Sequence, residues 1–166
     1  MKKKLLFPLI AALLLAPWPI VYAYDSVSAA NLPVTIVAVD VSAAPQLQAF
    51  GHAIGGVSPG ELFRVDTSGT LVATLFSLYI TNTDELVECY RYMTLNVGIY
   101  VQTDTYQWQE VTASGDIYLT MQGGLVNFTL PGNAIYKITI EKGCFYCYGA
   151  NSAGNIAVPN FSLTAS

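Results

Sequence analysis

"AIYKITIEK", residues 134–142, decides the fold. Ile135, the Lys137 stem, Thr139 and Glu141 lie on one side of it, opposite Tyr136, Ile138 and Ile140. A period of two is that of a half-buried β-strand, and β-branched and aromatic residues fit its pleated surface. Turn formers bound the stretch, with Pro131-Gly132-Asn133 before it and Tyr148-Gly149-Ala150-Asn151 beyond it.

The same pattern recurs in both directions along the chain. Strands are expected over 34–41, 62–65, 70–81, 86–100, 106–112, 116–121, 125–130, 134–141 and 156–164, separated by breaks such as Ser58-Pro59-Gly60, Asn82-Thr83-Asp84 and Gly123-Gly124. No stretch beyond residue 23 has a convincing helical period. In "PQLQAFGHAIGG" (45–56), Gly51, Gly55 and Gly56 argue for strand and loop. Many short strands at regular turn spacing read as one all-β domain, an antiparallel β-sandwich spanning 34–166.

The first 23 residues read as a secretion signal that is removed. Lys2, Lys3 and Lys4 precede a short apolar run from Leu5 to Ala16, and the segment closes on Val21-Tyr22-Ala23. The run is short for a membrane span, and Pro8, Pro17 and Pro19 interrupt it, so no stable membrane anchor is expected. No cysteine lies near the cleavage point to carry a lipid, and no long apolar helix follows it as in a type IV pilin. The expected location is therefore secreted, extracellular or cell-surface. Between signal and sandwich, residues 24–33 form a short, more polar arm that ends at Pro33, a residue with no N–H for a sheet ladder.

Composition narrows the partners. Without the signal the chain keeps four basic residues, Arg64, Arg91, Lys137 and Lys142, against eleven acidic ones, a net charge of −7. Such a surface does not track a phosphate backbone, which excludes nucleic acid. Only 11 % of the whole chain is charged, and it carries eleven tyrosines. A chain of that balance either buries much of its surface in an assembly, the reading favoured here, or displays Tyr, Ser and Thr where a monomer would display Lys and Glu.

Residues for chemistry are scarce. His52 is the one histidine, too few for a His-based zinc site, and no G-x-S-x-G elbow accompanies it. Asp84, Glu85 and Glu88 cluster at a turn and read as a solvated rim. No cofactor, metal or enzymatic activity is expected. Cys144-Phe145-Tyr146-Cys147 has thioredoxin spacing but follows a strand and runs into a turn, without the helix start that redox motif needs. Three cysteines in an exported chain suggest one disulfide and one leftover thiol, with Cys89 pairing to Cys144 or Cys147. Asn127-Phe128-Thr129 and Asn160-Phe161-Ser162 are glycosylation sequons, usable where Asn127 or Asn160 faces outward.

The order of elements also carries a resemblance. A polar arm "YDSVSAAN" (24–31) leads to a strand ending "VDVSA", a "VSPGE" turn (57–61), a strand closing on "YITNTDEL" (79–86), the apolar "VECYRYMTLNV" and a terminal "PNFSLTAS". This resembles the TasA/camelysin group of biofilm-matrix fibre proteins and its archaeal relatives, the bundling pili, over most of the chain beyond the signal. The resemblance implies a jelly-roll-like sandwich that polymerises by donor-strand complementation, each arm filling a groove in the next copy. Its partners are then copies of itself, with the fibres bundled laterally or single. The peptidase label attached to some camelysin relatives finds no zinc ligands in this sequence.

In such an assembly, burying Tyr24, Val27, Ala29 and Leu32 contributes on the order of 5–10 kcal/mol before entropy costs. If signal cleavage falls after Ala30, the arm is lost and the apolar 34–41 becomes the donor. The alternative reading is a monomeric secreted carbohydrate-binding or adhesin module using Trp108 and exposed tyrosines.

Overall fold

Two-residue alternation of apolar side chains builds two β-sheets. The computed structural model describes residues 26–29, 33–39, 46–50, 54–111, 116–148 and 157–166. Residues 26–29, 46–50 and Ile54 are described by their backbone alone.

In chain order the strands are β1 (Ser26–Ala29), β2 (Thr35–Ala38), β3 (Gln46–Phe50), β4 (Ile54–Ser58), β5 (Gly60–Asp66) and β6 (Thr74–Ile80). A helix, α1 (Thr83–Cys89), precedes β7 (Tyr90–Gln102), β8 (Trp108–Glu110), β9 (Ile117–Thr120), β10 (Leu125–Leu130), β11 (Ile135–Cys147) and β12 (Phe161–Ala165). The smaller sheet has the order β1-β12-β6-β10. The larger is built around β11, which pairs with β5 and β4 along one edge and with β7 along the other. Beyond those, β2 joins β5, β3 joins β4, and β8 and β9 join β7. All pairs are antiparallel except β1 with β12. The described residues are thus all-β apart from α1.

The apolar faces of the two sheets share one core. Phe76, Leu78, Phe128 and Leu163 of the smaller sheet are buried in one cluster with Val65, Leu95, Ile138 and Phe145 of the larger. Phe76 and Phe128 stack with ring centroids 5.9 Å apart, and Tyr90 meets Phe145 edge-on at 5.3 Å. Of the two faces that the alternation separates, Tyr136, Ile138 and Ile140 are buried while Ile135 is exposed, although Thr139 on the second face is buried too.

The structure corrects the sequence reading at several places: the strands expected over 70–81 and 106–112 shorten to Thr74–Ile80 and Trp108–Glu110, and two larger changes follow. Residues 83–89, placed at a turn and the start of a strand, are the helix α1. Asp84 and Glu85 occupy its first turn, where carboxylates favour the positive end of the helix dipole, and Leu86 is its buried residue. A helix of under two turns shows too little period to be read from sequence. Strand β11, expected to end at 141, continues through the cysteines to Cys147.

That longer strand is irregular. Ile140 pairs with Val97 and Lys142 with Asn96, so Glu141 is one extra residue against β7. Such a bulge shifts the side-chain alternation by one. Even-numbered residues point inward up to Ile140, and Phe145 and Cys147 point inward after it. A second bulge, on β5, sets Leu62 beside Phe63 with both fully buried.

Candidate functional site

At one edge of the smaller sheet β1 lies parallel to β12, with Ser26 opposite Ser162, Val27 opposite Leu163, Ser28 opposite Thr164 and Ala29 opposite Ala165. On its other side β12 pairs antiparallel with β6, from Phe161–Ile80 to Ala165–Phe76. Two of the arm residues singled out from sequence, Val27 and Ala29, therefore sit beside the chain's own C-terminal strand. Tyr24 and Leu32 lie outside the described residues. Phe161, Ser162, Leu163 and Ala165 are all buried, so β12 is a covered strand. Pro33 separates the arm from β2, which crosses to the other sheet and pairs with β5, Ile36 opposite Val65. The turn after β5 closes tightly on this junction, since a Cβ on Gly69 would lie 2.7 Å from the Pro33 carbonyl oxygen.

The outward face of the larger sheet carries a charged and aromatic row. Cross-strand register aligns Arg64, Lys137, Tyr100 and Glu110. The Arg64 guanidinium pairs with Glu61 at 2.6 Å and lies over the Trp108 ring, 5.8 Å from its centroid. Lys137 is held between two rings, 4.7 Å from the Tyr100 centroid and 5.1 Å from that of Trp108. Burial, the hydrogen bond to Glu141 and the charges of Glu141 and Glu110 push the Tyr100 phenol up to about 12. Trp108 thus spends its ring on two cations of its own chain. Farther along, Arg91 lies over Tyr146 and Tyr148. Two tyrosines belong to the core, their hydroxyls donating to backbone carbonyls: Tyr90 to Ala157 at 2.6 Å and Tyr136 to Pro131 at 3.1 Å.

At one end of the sandwich the β7–β8 loop and the 131–135 turn border an open cleft of about 340 Å³. Its lining includes Gln102, Asp104, Tyr106 and Asn133. Tyr106 and Asn133 have φ of 59° and 60°, the left-handed region that side chains other than Gly and Asn rarely adopt. Tyr106 is 80 % exposed at the lip. Sequence reasoning missed Tyr106, because a left-handed tyrosine has no composition signal.

The remaining predicted sites are dispersed. Asn127 is exposed on β10, its Oδ1 accepting the Ser77 hydroxyl at 2.7 Å, whereas Asn160 is half-buried. His52 lies outside the described residues. Glu85 accepts a hydrogen bond from Asn82 Nδ2 at 3.0 Å. No group of His, Cys, Asp or Glu among the described residues is arranged to hold a metal ion, and none of their helices is long and apolar enough to cross a membrane.

No disulfide joins Cys89, Cys144 or Cys147 in this structure. Cys144 is exposed, Cys89 half-buried at the end of α1, and Cys147 buried at the end of β11. Burial, with Cys89 close by, pushes the Cys147 thiol up. Both cysteines of Cys144-Phe145-Tyr146-Cys147 lie within the strand β11. No known protein-family model matches the chain, and no curated protein is found similar to it.

Proposed function

We propose that this chain is the structural subunit of an extracellular filament, a pilus or biofilm-matrix fibre, assembled head to tail by donor-strand complementation. The observation that carries the reading is the seat of β1 beside β12. A four-residue ladder offers a few hydrogen bonds at about 1 kcal/mol each. Ordering its backbone costs about 1–2 kcal/mol per residue, so the ladder alone does not hold the seat firmly. Removing β1 from β12 bares the edge of a strand whose residues are otherwise buried, and such edges attract a strand from another chain. An arm from the next copy restores the ladder by β-augmentation. That contact joins two different surfaces and does not close on itself, so it propagates into a fibre. The resemblance to matrix fibre proteins and bundling pili supports the same reading, as does the low fraction of charged residues.

Deleting residues 24–31 is expected to leave folded protein that forms no filaments under negative-stain electron microscopy. Filaments that persist in the deletion would sink the donor-strand reading.

A second reading, a monomeric carbohydrate-binding module, is favoured by the cleft at Tyr106. Asp104, Asn133 and Gln102 match the hydroxyls of a neutral sugar, and among the described residues no cation lines the cleft to attract an anion. The stacking ring in this reading is Tyr106, since Trp108 is covered by Arg64 and Lys137. Neutral-glycan binding by a monomer, lost in Tyr106→Gly, would favour it over the filament.

A further inference from the structure

The strand register distinguishes among the three possible cysteine pairings. Cys144 and Cys147 are three residues apart in one extended strand, a separation of about 10 Å at roughly 3.3 Å per residue. A disulfide needs Cα atoms within about 7 Å. The two also point to opposite faces, Cys144 to solvent and Cys147 to the core. Cys144 sits opposite Thr94, five positions along the chain from Cys89, on the outward face of β7's partner. Cys147, by contrast, sits opposite Tyr90, the residue next to Cys89. The next position repeats the contact, with the Tyr148 N–H donating to the Cys89 carbonyl at 3.1 Å. Cys89 also packs against the core cluster that contains Cys147.

From this juxtaposition we infer that Cys89 and Cys147 form a disulfide that ties the end of α1 to the end of β11, and that Cys144 stays a free surface thiol. The oxidant is a disulfide, either of a protein oxidoreductase or oxidised glutathione. The more accessible Cys89 thiolate attacks one of its sulfurs, forming a mixed disulfide and expelling a thiolate. The Cys147 thiolate then attacks the Cys89 sulfur, forming the intramolecular S–S bond and releasing the second thiolate. Two electrons pass to the oxidant, and the two protons lost by Cys89 and Cys147 end on its two thiols. The raised pKa of the buried Cys147 thiol makes it the slower nucleophile and supports that order.

The pairing follows from register and is independent of the filament reading. It is tested on the purified full chain, fully reduced, then equilibrated with excess oxidised glutathione at mildly alkaline pH. Free thiols are blocked with iodoacetamide under denaturing conditions, and the protein is digested with chymotrypsin without reduction. Cleavage after Phe145 and Tyr146 separates Cys144 from Cys147. The expected products are a Cys89–Cys147 linked peptide, lighter by two hydrogens than its two halves, and Cys144 found alkylated or as its glutathione adduct. Cys144→Ser, an exposed position, is expected to give the same linked peptide. A Cys144–Cys147 or Cys89–Cys144 link would overturn the inference, and so would Cys89 and Cys147 both unlinked in the folded oxidised protein.

Discussion

The strands β1 and β11 sit at opposite extremes of commitment to this fold. β1 has four residues, one described neighbour and a parallel pairing. β11 has thirteen residues, neighbours along both edges and buried side chains facing the core. The difference lies in what each strand loses on leaving. β11 would abandon the apolar burial that holds the sheets together, worth roughly 1.5–3 kcal/mol for each fully buried side chain. β1 would abandon a short ladder of small side chains. A fold with a fixed spine and a weakly held edge is suited to exchanging that edge with a neighbour while the body stays intact.

Breaking the spine is the severest test of that contrast. Ile138→Ala removes a fully buried side chain from the middle of β11, and a loss of about 2–5 kcal/mol is expected in denaturant unfolding. The cross-link at the spine's end comes next. A Cys89–Cys147 bond closes a loop of about 60 residues, so reducing it is expected to lower stability by about 4 kcal/mol. At the edge, deleting 24–31 is expected to shift unfolding by no more than about 1 kcal/mol, since its short ladder does not outweigh its ordering entropy. A loss as large as that of Ile138→Ala would erase the distinction between edge and spine.

Smaller effects sharpen the contrast at the periphery. Tyr106→Gly relieves a left-handed backbone and is expected to stabilise by up to about 1 kcal/mol in thermal unfolding. Tyr100, in the row beside β11, gives the pH test. Its folded pKa of about 12 lies above the ordinary phenol value of 10. The unfolded chain therefore releases this proton first, and the contribution of Tyr100 is complete below about pH 10. It is lost as pH rises toward 12. Alkaline unfolding of Tyr100→Phe should show a shallower decline over that window, and equal slopes would contradict the assignment.

Much of the spine was legible in the sequence because alternation reports burial directly. Tyr136, Ile138 and Ile140 were assigned to one face and are buried together. The acidic turn at 84–88 was read without its helix, because a single buried residue, Leu86, gives no periodicity to detect. The tyrosines and Trp108 were visible as a class, but which of them stack on cations depends on strands distant in sequence. Trp108 meets Lys137 only because β8 and β11 both pair with β7.

The sequence by itself determined the all-β class and the division of 134–141 into two faces, since local alternation selects the strand and separates its sides; the structure shows which side is buried. Only the tertiary structure decided where the N-terminal segment goes. β1 and β2 part at Pro33 to join different sheets, and nothing local specifies that β1 lies parallel to β12. It also decided which cysteine is inside. Unbroken alternation from Ile140 would bury Cys144 and expose Cys147. The extra residue at Glu141 reverses them, because a bulge is set by the register of two strands rather than by the residues of one.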